Sequence, residues 1–243
     1  MRTLVSFSGG LDSTYTLWWL LKNTNDDVTA LFLDESYLTE SFGDASACRA
    51  GFAHYVSNLV SELQKIRTFE FKTVNAYEFG PDETKEVWIL RYIAPKINDG
   101  TYDKITFGIG DVGSKFEETT PALDKIPRIY IALQREFAKI ANRGEIYFHY
   151  LKYNETRVHA TINLPNEIKS LAITCSRSQI QSDGTLVRCG TCNKCVQETV
   201  IEASLAAGKT TEETVAAFVA ARYVSNQRKK FLNVGGIWSP IEP

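Results

Sequence analysis

The sequence predicts an α/β fold, a doubly wound parallel sheet followed by a C-terminal segment that is helical and rich in clustered cysteines. Three observations carry that expectation. Short apolar runs alternate with segments of helical period over roughly the first 110 residues, and such alternation argues for parallel strands with helices on both faces. A glycine pair, Gly9-Gly10, stands just after the first of those runs. Four cysteines, Cys175, Cys189, Cys192 and Cys195, gather late in the chain.

The elements follow in order. Thr3 to Phe7 is an apolar run of the kind a buried parallel strand requires. Ser13 to Lys22 reads as a helix with Leu and Trp on more than one side. Val28 to Leu33 is a second strand that ends at Asp34 and Glu35. Residues 45 to 66 carry Phe52, Val56, Leu59, Val60 and Leu63 three or four apart, a helical stripe. Thr68 to Val74 alternates as a third strand, 83 to 97 is helical, and Lys104 to Ile109 is a fourth strand closed by Gly108 and Gly110. A helix over 121 to 142 and a β-like stretch at Ile146 to Tyr150 follow. Thr210 and Glu213 form a capping box for a last helix over about 211 to 231. For the tail Gly235-Gly236-Ile237-Trp238 two courses stay open, folding back or packing on a partner.

Composition narrows the functional classes. The chain has 243 residues, a formal charge of -2 and 44% hydrophobic residues, enough for a sizeable core without a basic field to attract nucleic acid. No apolar run approaches the roughly 20 residues that span a bilayer. Residues 1 to 7 do not read as a secretory signal. A cytoplasmic location is therefore expected, with reduced cysteines whose clustering points to a metal rather than disulfides. Cys48 stands apart and reads as a small buried residue.

In an open α/β sheet, ligands sit beyond the carboxyl ends of the strands. Three segments should meet there: the glycine turn, Asp34, and the Gly108-Ile109-Gly110-Asp111 turn. Gly9 and Gly10 let the backbone approach a ligand, and the helix that follows directs free N–H groups and its positive end into the turn. An anion is stabilised there. Ser8, Ser13 and Thr14 add hydroxyl donors, and Asp12 offers a carboxylate as helix cap or magnesium ligand. No Gly-x-x-x-x-Gly-Lys-Ser/Thr or Gly-x-Gly-x-x-Gly stands at this turn.

Cys189-Gly190-Thr191-Cys192-Asn193-Lys194-Cys195, with Cys175 upstream, has the spacing of a metal knuckle in which N–H groups face sulfurs. Four thiolates suit tetrahedral zinc at about 2.3 Å and leave no open catalytic position. An iron–sulfur cluster is the rival occupant.

The run Ser8-Gly9-Gly10-Leu11-Asp12-Ser13-Thr14 after the first strand matches the Ser-Gly-Gly-x-Asp-Ser signature of the PP-loop ATP pyrophosphatases. Together with Cys175 and the Cys-Gly-x-Cys-x-x-Cys run, it resembles one branch of that superfamily, the 7-cyano-7-deazaguanine (preQ0) synthases. The resemblance implies an adenine nucleotide alpha hydrolase-like, Rossmann-like fold. It divides the chain into a nucleotide-binding domain over 1–165 and a zinc-binding helical region over 166–243. It also implies ATP with Mg2+ held by Phe7, Ser8, Gly9, Gly10, Leu11, Asp12, Ser13, Thr14 and Asp34. Ser8, Asp12 and Ser13 take catalytic roles, Gly110 and Asp111 lie toward the substrate, and Zn2+ sits on the four cysteines. The implied reaction joins a small-molecule carboxylate, 7-carboxy-7-deazaguanine, with ammonia to give a nitrile. Adenylation of another carboxylate, an amide or a tRNA base is the alternative within the superfamily. Members often form homodimers, which the aromatic residues Tyr223, Phe231 and Trp238 would permit.

Overall fold

The computed structural model describes residues 1–34, 52–75, 85–107, 138–139, 141, 156–175, 178–180, 186–228, 231–234 and 237–240. Its centre is a parallel sheet of four strands: β1 (Arg2–Phe7), β2 (Asp27–Asp34), β3 (Glu70–Asn75) and β4 (Lys104–Phe107). In sequence, α1 (Leu11–Asn23) joins β1 to β2, α2 (Phe52–Gln64) lies between β2 and β3, and α3 (Lys85–Asn98) precedes β4. The parallel α/β architecture expected from the alternation is thus present.

The strand order is β3-β2-β1-β4. The chain runs outward from β1 through β2 to β3, then returns to the other side of β1. Such a reversal opens a crevice beyond the carboxyl ends of the two strands that flank it, here β1 and β4. Phe7 pairs with Phe32 of β2, and Ser6 pairs with Phe107 of β4. The residue after Phe7 is Ser8, so the loop starts at this crevice.

β1 is the kind of strand that two-sided burial demands. Leu4, Val5 and Phe7 are all at most 1% exposed, and a strand covered on both faces reads as a continuous apolar run. α1 starts where the glycine pair ends, two residues earlier than expected. It stops at Thr24, whose N–H and hydroxyl both donate to the Leu20 carbonyl. Its buried residues include Leu11, Tyr15, Leu17, Leu20 and Leu21, so the helix is covered on more than one side, as its composition suggests.

What covers it was not visible in the sequence. α4 (Thr156–Asn163) packs on α1, and α5 (Asn166–Leu171) packs on α2. Ala160, Leu164 and Ile168 join one core with Val5, Phe7, Leu17, Leu20, Leu59 and Leu63. A second apolar cluster of Val158, Ile201, Val215 and Phe218 ties α4 to α6 (Asn193–Ala206) and α7 (Thr211–Arg228). α4 is therefore the middle layer between the sheet's helices and the C-terminal helices.

Thr210 and Glu213 form the expected capping box. The Thr210 N–H donates to Glu213 Oε2 at 2.8 Å, and the Glu213 N–H donates to Thr210 Oγ1 at 3.2 Å. α7 ends at Arg228 instead of near 231. Phe231–Val234 is a strand, β7, and pairs antiparallel with Ile237–Pro240, β8. Gly235-Gly236 between two short runs is a hairpin signal, and the tail folds back accordingly. The segments expected as a helix over 121–142 and a strand at 146–150 lie outside the described residues, apart from 138, 139 and 141. Cys48 lies outside them as well.

Candidate functional site

The loop is built by its own side chains. Ser13 Oγ accepts the Ser8 N–H at 3.1 Å, donates to the Gly10 carbonyl at 3.1 Å and stands 3.0 Å from Ser8 Oγ. These contacts close the turn on itself. Gly9 holds φ at +72°, and a Cβ there would sit 3.0 Å from Val56 Cγ2. Both the left-handed backbone and the close approach of α2 demand glycine. The Ile173 N–H donates to the Gly9 carbonyl at 2.9 Å and pins the turn from the outside.

Gly10 is the N-cap of α1 and makes no side-chain cap bond, and the first helical bond runs from the Thr14 N–H to the Gly10 carbonyl at 2.9 Å. The N–H groups of the first turn, Leu11 to Ser13, have no partner within the helix, as at every α-helix start. No side chain of the cap residue competes for them. Ser8 is exposed, whereas Ser13 and Thr14 are buried. Thr14 Oγ1 has no hydrogen-bond partner among the described residues.

Asp12 lies in the first turn of α1, and the cap position expected for it belongs to Gly10. Its carboxylate is held by Arg157 of α4, with Nη2 2.6 Å from Oδ2 and Nε 3.4 Å from Oδ1. Arg157 is 1% exposed and Asp12 14%. The remaining guanidinium nitrogen, Nη1, donates to Gln197 Oε1 of α6 at 2.6 Å. Burying a guanidinium is costly unless its donors find partners, and here a carboxylate and an amide supply them. The fork takes up one lone pair on each carboxylate oxygen and leaves others, and Asp12 is 14% exposed.

Sequence reading missed Arg157. One signal was available: Arg157, Ala160, Thr161, Leu164 and Ile168 recur three or four apart, so a cation stood on an apolar stripe. A charge in such a place is buried with a partner or sits at an element end. The partner's identity was not readable, because Asp12 lies 145 positions away.

Asp34 is the last residue of β2, paired in register with Asn75, at the carboxyl edge where it was expected. Phe7 is 1% exposed and belongs to the core, so its contribution is to seat the loop. Gly110 and Asp111 lie outside the described residues.

The four cysteines converge. Their Sγ atoms all lie within 4.8 Å of one another, with Cys175 and Cys195 buried. Cys192 Sγ and Cys175 Sγ are 3.9 Å apart, close to the roughly 3.8 Å edge of a tetrahedron with metal–sulfur bonds of about 2.3 Å. The Cys189 N–H points at Cys175 Sγ and the Cys192 N–H at Cys189 Sγ, each at 3.3 Å. Gly190 turns the chain between them at φ +70°. Cys192 is the N-cap of α6, so the helix directs its positive end at the sulfur set and favours thiolate. The short hairpin of β5 (Gln179–Ile180) and β6 (Leu186–Val187) spans the interval from Cys175 to Cys189. Arg188 Nη1 pairs with the buried Glu198 Oε2 at 2.5 Å and fastens the knuckle to α6.

Burial opposes ionisation of Cys189, but N–H donors from Thr191 and Cys192 and the Thr191 hydroxyl outweigh it and lower the thiol to about 6. Burial pushes the Cys195 thiol up, and neighbouring sulfurs add to the effect. A bound cation removes this split, because a coordinating thiol is deprotonated outright. The set is able to hold a metal ion such as zinc.

The fold and these two centres define a parallel α/β protein with a strand–glycine loop–helix unit and a four-cysteine cluster. No family model matches the chain, and no curated protein matches it. Among the described residues no helix is long and apolar enough to cross a membrane.

Proposed function

We propose that this chain is an ATP-dependent carbon–nitrogen ligase of the PP-loop type, acting on a 7-carboxy-7-deazaguanine-like substrate. The observation that carries the reading is the Ser8–Thr14 loop at the strand-order reversal. Its helix start is uncapped by any side chain, and two serines are braced at its mouth. Anionic phosphates are the ligand such a start favours. The four-cysteine knuckle is the second support, with zinc as the structural ion it would hold.

In the proposed reaction a carboxylate oxygen of the substrate attacks the α-phosphorus of ATP, and pyrophosphate leaves. Ammonia then attacks the acyl carbon, a proton is lost, and AMP departs to leave the amide. A second ATP activates the amide oxygen in the same way. Loss of AMP and the remaining N–H protons yields the nitrile. The loop's N–H groups stabilise charge that accumulates on the departing pyrophosphate. Mg2+ would enter with ATP, beside the Asp12 carboxylate that Arg157 holds.

A different acceptor within the same chemistry is the second reading. The preQ0 synthases carry a Tyr-Pro-Asp-Cys element after the fourth strand, and Gly108-Ile109-Gly110-Asp111-Val112-Gly113-Ser114-Lys115 does not. One assay separates the readings. The zinc-loaded chain is incubated with ATP, Mg2+, ammonia and 7-carboxy-7-deazaguanine, and products are read by mass spectrometry. Nitrile with AMP supports the first reading. ATP turnover without amide or nitrile moves the weight to another acceptor, and absence of ATP binding removes both.

A further inference from the structure

Two leads run from the phosphate-type loop to the cysteines, one on each side of the knuckle. The first leaves Gly9, whose carbonyl accepts the Ile173 N–H at 2.9 Å. Ile173 stands two positions before Cys175, and both residues are buried. The second leaves Asp12, crosses the buried Arg157 guanidinium and reaches Gln197 Oε1 at 2.6 Å. Gln197 stands two positions after Cys195, within the first turns of α6, and is 3% exposed. Each lead is a hydrogen-bonded path with one residue between its end and a cysteine.

The places where these leads end are set by the sulfurs. Cys192 caps α6 and Cys195 sits in its first turn. A metal ion shared with Cys175 would therefore fix the start of α6 relative to the Ile173–Cys175 segment. Without the ion, the contacts at that corner among the described residues include N–H···S and O–H···S contacts, a thiol–thiol contact and one ion pair, all weaker than metal–thiolate bonds. Gln197 and Ile173 would then be free to move apart. Arg157 would lose a partner for Nη1, and Gly9 would lose its outside pin.

We propose that the cysteine centre braces the Ser8–Thr14 loop, so that metal occupancy there orders the loop, with Arg157 as the positioning residue that transmits the order to Asp12. The inference rests on the metal reading of the cysteines and not on the ATP reading of the loop. Its test therefore uses no nucleotide.

The full chain is compared zinc-loaded and after chelation, with zinc content measured in each sample, by hydrogen exchange and mass spectrometry. Peptides covering residues 8–16 should exchange faster after zinc removal, by about five- to 150-fold, the usual range of coupling between two sites. Peptides of β2 should keep their protection. In zinc-loaded Gln197→Leu the loop should show the same acceleration with zinc content unchanged. Gln197→Glu, which restores an acceptor for Arg157 Nη1, should return it to the wild-type rate. Unchanged loop exchange after verified zinc loss overturns the proposal. Where chelation unfolds the chain, so that β2 and the loop accelerate together, the zinc-loaded variants decide. Wild-type loop exchange in Gln197→Leu then overturns it, and acceleration rescued by Gln197→Glu sustains it.

Discussion

Arg157→Met removes a buried cation while keeping most of its aliphatic volume. In the native chain Nη2 and Nε hold both Asp12 oxygens, and Nη1 holds Gln197 Oε1, with Arg157 1% exposed. The variant leaves a carboxylate that is only 14% exposed without its counter-charge, and the Gln197 oxygen without its donor. Breaking a buried pair by removing one partner costs about 3–5 kcal/mol. For a chain of this size each kcal/mol lowers Tm by about 2–4 °C, so a fall on the order of 6–20 °C is expected. Urea titration of the zinc-loaded chain measures the free energy directly, with the slope checked for constancy. Adding Asp12→Asn to the variant removes the stranded charge and should recover about 1–3 kcal/mol, the desolvation share of the loss. A fall below about 1 kcal/mol for Arg157→Met would refute the reasoning, because exposed pairs lose that little.

Three further outcomes are expected. Gly9→Ala should cost about 1–2 kcal/mol for its left-handed backbone, plus the added collision with Val56, 3.0 Å from the new Cβ. Urea titration reads it, and no loss would mean that the turn is not rigid. Stripping metal with a chelator should lower Tm, because metal binding and folding are coupled, and an unchanged melt without zinc by elemental analysis would remove the metal reading. Asp26 receives Lys104 Nζ at 2.6 Å and Thr3 Oγ1 at 2.8 Å. Burial raises its carboxyl, yet those bonds and the nearby charges outweigh it and leave its pKa below the ordinary value. Its stabilisation is therefore complete above the unfolded pKa of about 3.9 and lost as pH falls below that through the lower folded value. Asp26→Asn should flatten the acid limb of a stability–pH curve, and an unaltered limb would refute the assignment.

Legibility in the sequence followed the distance over which each feature is built. Ser8 to Thr14 is one strand end, one turn and one helix start, so seven consecutive residues carry its logic. Cys189, Cys192 and Cys195 are likewise local, and Cys175 needed only the chemical preference of thiolates for a fourth partner. The sheet was readable because parallel strands are buried on both faces and stand out as apolar runs. α4 was not. Thr156–Asn163 reads Thr-Arg-Val-His-Ala-Thr-Ile-Asn, short and mixed, and its helicity comes from packing between α1 and α7 rather than from propensity. The same is true of its arginine, whose role exists only when α1 and α6 are brought to it.

Pairing also changes what Asp12 does for the loop. A free carboxylate in the first turn of a helix is itself stabilised by the dipole, and would compete with an incoming phosphate for the positive end. It would also repel that phosphate across a short, partly buried distance. Arg157 removes both obstacles by drawing the carboxylate into a buried fork toward α6. The donors at the head of α1 then face the crevice with no net negative charge beside them from this pair. An acidic residue inside an anion-binding signature is a contradiction when the loop is considered alone. It ceases to be one when the third layer of the fold supplies the cation, and under the proposed ATP reading the loop and the C-terminal helices would act together through this contact.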